Sequence, residues 1–110
     1  MITVLVVSDP GRSSDLDVVA ARMPSLELLH ARDLEQALDR LARNRRIDAV
    51  LLLLDRDRTT EVAATILEED PAAPPLFAPE ASAGNDARPL HGDVPEDLLQ
   101  AIVRELSASG

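Results

Sequence analysis

Six consecutive apolar residues, Ala49 to Leu54, constrain this chain more than any other feature. A strand with one wet face alternates apolar and polar side chains. An unbroken run instead suits a strand covered on both faces, as in a parallel sheet. Ile2 to Val7 is a second such run, and it ends in the turn signal Ser8-Asp9-Pro10-Gly11. Leu26 to Ala31 is a third, weaker one. Between these runs the apolar residues recur at helical spacing. Leu16, Val19, Ala20 and Met23 form one stripe, with Ser13 or Ser14 as its cap and Pro24 as its stop. Leu34, Ala37, Leu38, Leu41 and Ala42 form the clearest stripe, behind Asp33 and with Gln36 at capping-box spacing. Arg40, Arg43, Arg45 and Arg46 gather at its end, where cations complement the helix dipole. Val62, Ala63, Ile66 and Leu67 form a third stripe, capped by Thr59 or Thr60 and stopped at Asp70-Pro71. Strand and helix alternating three times predict a parallel sheet with right-handed crossovers.

Beyond residue 70 the chain changes character, because six of its eight prolines lie there. Leu76 to Ala78 has room for a short fourth strand. Glu80 to Ala87 has no apolar face and reads as a loop holding at most one helical turn. Arg88 to His91 is a fifth strand. Asp93 to Glu96 opens a last helix, with Pro95 in its first turn and Leu98, Leu99, Ile102, Val103 and Leu106 as its stripe. The expectation is one domain over residues 1–106 and a flexible tail over 107–110.

Composition narrows the function. A net charge of −9 opposes nonspecific nucleic-acid binding, which needs a positive surface. The absence of cysteine removes disulfides and thiolate metal sites. No apolar run approaches the roughly 20 residues that cross a bilayer, and no basic-then-apolar leader opens the chain. A cytoplasmic protein without membrane contact is expected. No Ser-His-Asp arrangement is visible, so no enzyme is expected, and no cofactor is required. Phe77 is the only aromatic residue, which leaves little to stack on a flavin ring. All 11 basic side chains are arginine, so no side chain can supply an ammonium group.

Five segments, in order, resemble the receiver domain of bacterial response regulators (the CheY-like family). Ile2-Thr3-Val4-Leu5-Val6-Val7-Ser8-Asp9 resembles its first strand and acidic loop. Asp33-Leu34-Glu35-Gln36-Ala37-Leu38 is similar to the start of its second helix, and Ile47-Asp48-Ala49-Val50-Leu51-Leu52 to its third strand. Asp70-Pro71-Ala72-Ala73-Pro74 resembles the approach to the fourth strand. Val94-Pro95-Glu96-Asp97-Leu98-Leu99 resembles the entry to the last helix. The resemblance covers nearly the whole chain. It implies a flavodoxin-like, doubly wound, five-stranded parallel sheet of order 2-1-3-4-5, with the working site at the carboxyl ends of the strands.

The resemblance also implies a site. Receivers hold Mg²⁺ on acids after the first strand and accept phosphoryl on an Asp after the third. A Ser or Thr after the fourth strand and a Lys after the fifth contact the phosphoryl group. Cations at such a site neutralise the charge that builds on the transferring group. Here Ser8-Asp9 fills half of the first acidic pair. The usual spacing from Asp48 lands on Leu53, and two further residues reach Asp55, which is preferred as the acceptor-like position. Asp9 and Asp55 are the candidate Mg²⁺ ligands, and Ser82 and His91 the candidate switch positions. The lysine is missing, and the chain from Ala78 to His91 is too short for the usual fourth helix. Such losses resemble pseudo-receivers, including those fused ahead of P-loop ATPases in pilus-assembly and polar-localisation proteins. The leading expectation is therefore a noncatalytic regulatory domain of a signalling or localisation protein. It would dock a protein partner or a fused effector domain, or form a homodimer. Two alternatives stand beside it. One is a working phospho-receiver that uses Asp55 with Mg²⁺. The other is a flavodoxin-type binder of a small phosphate-containing ligand on the Ser8–Ser14 loop, with Arg12 assisting.

Overall fold

A computed structural model describes residues 2–8, 14–44, 46–84, 86–92 and 94–109. The elements run β1 (Ile2–Ser8), α1 (Ser14–Ala20), β2 (Leu26–Ala31), α2 (Leu34–Arg43), β3 (Ala49–Leu53), α3 (Arg56–Glu69), β4 (Leu76–Pro79), β5 (Arg88–Leu90) and α4 (Pro95–Ser109). Every strand pairing is parallel, and the sheet order is β2-β1-β3-β4-β5. This is the flavodoxin-like α/β fold that the sequence pattern and the resemblance predict.

The unbroken apolar runs are explained by two cores. Leu5, Val7, Val50, Leu52 and Ala78 face one way and pack with Ala37 and Leu41 of α2 and Val62, Ala63 and Ile66 of α3. Val4, Val6, Leu51 and Phe77 face the other way and pack with Leu16 of α1 and Leu98, Leu99 and Ile102 of α4. Alternate residues of each central strand therefore both leave water, and no polar side chain is tolerated between them.

Local chemistry sets most of the helix ends. The Gln36 amide donates to Asp33 Oδ1 at 2.8 Å, and Gln36 Oε1 in turn accepts from the Arg32 amide at 3.0 Å. That is a capping box whose return bond falls one residue before the cap. Helix α1 stops at Ala20, before Pro24, because the Arg22 and Met23 amides turn to Val19 and Ala20 carbonyls at 3.0 and 2.9 Å. These bonds span three residues and tighten the last turn. The expected cap at Ser13 or Ser14 is only partly settled: α1 begins at Ser14, and Ser13 lies outside the described residues.

Three expectations need correction. Helix α3 is capped by Asp55, whose Oδ1 accepts from the Arg58 amide at 2.9 Å, and not by Thr59 or Thr60. Thr59 is instead buried, with its hydroxyl donating to the Leu54 carbonyl at 3.2 Å, and Thr60 donates to Arg56 at 3.0 Å. The segment Asp55–Arg58 is thus the first turn of a helix rather than a loop. The third strand ends at Leu53, one residue before the end of the apolar run. Leu54 is buried outside the ladder. Helix α4 runs as far as Ser109 and so takes in residues 107–109. No helix breaker precedes Gly110, which leaves the last turn free to form.

No fourth helix lies between β4 and β5 among the described residues; residues 80–82 form a turn and residues 86–87 a bend. This strap covers the sheet with alanines. Ala87 is buried and Ala83 packs on the same core as α3. Both the Ser82 and Ala83 amides bond the Pro79 carbonyl at 2.9 Å, which folds the strap back. Gly84 lies so close to Thr60 that a side chain on it would collide with the Thr60 hydroxyl.

The two rims of the sheet differ. In β5 the Leu90 carbonyl accepts from the Glu80 amide at 2.9 Å, so Leu90 is turned toward β4. Alternate residues of a parallel ladder face opposite sides, so Pro89 is turned outward, and it has no N–H to offer. The other rim, β2, is six residues long and contains no proline.

Candidate functional site

The switch point lies between β1 and β3. The chain leaves β1 for α1 on one face of the sheet and leaves β3 for α3 on the other. Open α/β sheets bind ligands in the crevice at such a point. Its floor is set by register: Ser8 pairs with Leu53. Ser8 is buried, at 4% exposure, and Leu53 is half-buried and packed on the α4-side core.

The residues expected to carry chemistry distribute around this crevice unevenly. Asp55 lies two residues beyond the end of β3 on the exposed cap of α3, with one oxygen held by the Arg58 amide. Asp57 is exposed on the first turn of the same helix. Asp9, the other candidate Mg²⁺ ligand, lies outside the described residues, as do Pro10 to Ser13 of the Ser8–Ser14 loop and Asp93. Among the described residues, no three His, Asp or Glu side chains are grouped to hold a metal ion. Ser82 follows β4 by three residues, and its hydroxyl turns back to the Pro79 carbonyl at 3.3 Å. His91 follows β5, at the far rim from β2. Its side chain is 92% exposed, with Nδ1 3.0 Å from Glu80. These positions put Asp55 at the head of α3 and Ser82 and His91 on the β4–β5 side, each with a local partner.

His30 stands near the end of β2. Its Nε2 meets Asp17 Oδ1 at 2.7 Å, which ties α1 to β2, while its Nδ1 is buried without a partner. A neighbouring depression of about 460 Å³, bordered by Ser8, His30, Arg32, Gln36, Asp39 and Arg40, has no signal in the sequence. It forms where the end of β1 meets the entry to α2, a juxtaposition that periodicity along one segment does not encode.

No protein-family model matches the chain, and no curated protein matches it. Among the described residues no helix is long and apolar enough to cross a membrane.

Proposed function

We propose that this chain is an atypical receiver-like domain of a cytoplasmic signalling or localisation protein, one that regulates by docking a protein partner or a fused effector domain, or by pairing with its own copy. The observation that carries this reading is the residue beside Ser8 at the floor of the crevice. It is Leu53, which has no nucleophile and no charge. Phosphoryl transfer to a carboxylate needs the acceptor where cations can neutralise the moving charge. The nearest carboxylate in the chain after β3 is already a helix cap, and the sequence contains no lysine. A fold that keeps the sheet and loses these groups retains its surfaces and not its chemistry.

A second reading, the phospho-receiver, draws on one fact: Asp55 is exposed, and its hydrogen bond to Arg58 uses only Oδ1. The two are separated by intact mass after incubation with Mg²⁺ and acetyl phosphate. The expected result is an unchanged mass and a melting temperature that does not respond to Mg²⁺. A phosphoryl adduct that disappears in Asp55→Asn would overturn the docking reading in favour of the phospho-receiver.

A further inference from the structure

We infer that the depression bordered by Ser8, Arg32, Gln36 and Arg40 is a binding site for a small phosphomonoester. Its location is the carboxyl end of β1 and β2, beside the switch point, where sheets of this order present ligands. Ser8, a buried residue, lines it, and so does His30, whose Nδ1 is buried without a hydrogen-bond partner among the described residues. Buried polar groups are nearly always satisfied, so an unpartnered one facing a cavity points to something outside the chain.

The remaining donors select the ligand. Arg32 and Arg40 have no ion-pair partner among the described residues. Gln36 uses its Oε1 on the Arg32 amide, which leaves its NH₂ group as a donor. Asp39 also lines the depression, and its carboxylate is paired with Arg43 at 3.0 Å; Asp17, behind His30, is paired with that residue. Two guanidinium groups, one hydroxyl and one amide suit the three terminal oxygens of a phosphomonoester better than the two of a carboxylate. Charge agrees. Residues 1–60 hold nine arginines against ten carboxylates, and residues 61–110 hold two against ten. Every residue that borders the depression comes from the first of these two stretches, which is close to neutral. A volume of about 460 Å³ exceeds a bare phosphate and suits a small organic ester. With Phe77 the only Phe, Tyr or Trp in the chain, and buried in the other core, the imidazole of His30 is the one ring at the depression, and it is held by Asp17. The ligand is therefore an ester of the sugar-phosphate kind rather than a nucleotide. This site does not depend on the docking reading, and either can fail without the other.

The test is a titration of the ¹⁵N-labelled protein with glycerol 3-phosphate, beside glycerol and beside sodium chloride at matched ionic strength. The expected result is saturable shifts of the Ser8, Arg32, Gln36 and Arg40 amides with the ester alone. Arg32→Ala/Arg40→Ala should then bind roughly tenfold or more weakly, because two charge-assisted contacts are lost. Arg56→Ala/Arg104→Ala, which removes the same charge elsewhere, should bind as the parent does. The inference is overturned by the absence of saturable shifts through the millimolar range, by equal shifts with sodium chloride, or by equal weakening in both double variants.

Discussion

Replacing Asp55 separates its structural role from any chemical one. Its carboxylate caps α3 by accepting from the Arg58 amide at 2.9 Å, and it stands at the positive end of a 14-residue helix. Asp55→Ala removes the cap, which costs about 1 kcal/mol. It also removes the charge–dipole attraction, worth roughly 0.3–1 kcal/mol for an exposed group. The sum is about 1.5 kcal/mol, a sizeable share of the roughly 5–15 kcal/mol that holds a domain together. For a chain of this size that lowers the melting temperature by roughly 6–9 °C. Asp55→Asn keeps a capping oxygen and loses only the charge, so its cost is about 0.3–1 kcal/mol. Urea unfolding followed by far-UV circular dichroism measures both, since the chain has no Trp or Tyr to report by fluorescence. An Asp55→Ala protein as stable as the parent, or an Asn variant as damaged as the Ala variant, would refute the capping argument.

Three further outcomes follow from packing. Phe77→Ala should lower stability by about 3–5 kcal/mol in the same urea assay, because the ring is 99% buried between the sheet and α4 and its removal leaves a cavity. Gly92→Ala should cost roughly 1–3 kcal/mol by thermal melting. Gly92 has a φ of 110°, and a Cβ there would lie 2.6 Å from the Asp97 Cβ. Gly84→Ala should destabilise by pushing the strap off Thr60, and Thr60→Ala in the same chain should recover part of the loss; a double-mutant cycle with no coupling would show that strap and helix are not in contact.

Much of the architecture was legible because each segment carried its own punctuation. The second strand has the bounds expected of it, Leu26–Ala31, since Pro24 and the Asp33 cap frame it on either side. The parallel pairing followed from the strand–helix alternation, the sheet order from what the resemblance to receivers implies, and the two-faced burial from the unbroken apolar runs. The end of β3 was less legible. Hydrophobicity does not distinguish the last residue of a ladder, Leu53, from a buried residue just beyond it, Leu54. The α3 cap was misplaced because Asp, Ser and Thr cap almost equally well, and Thr59 and Thr60 stood closer to the apolar stripe. Only the fold reveals that Thr59 is buried. The depression beside α2 was invisible for a different reason. Ser8 and Arg32 are 24 positions apart, and only the pairing of β1 with β2 brings their segments together.

The unequal rims bear on how copies of this chain can assemble. Addition of a strand requires backbone donors and acceptors on both partners. Pro89 denies a donor at the outward position of β5, so that side of the sheet is closed to growth. Only β2 remains open, and two copies joined there about a twofold axis would each have used their one open side. Strand-to-strand association through β2 would therefore stop at a pair of copies.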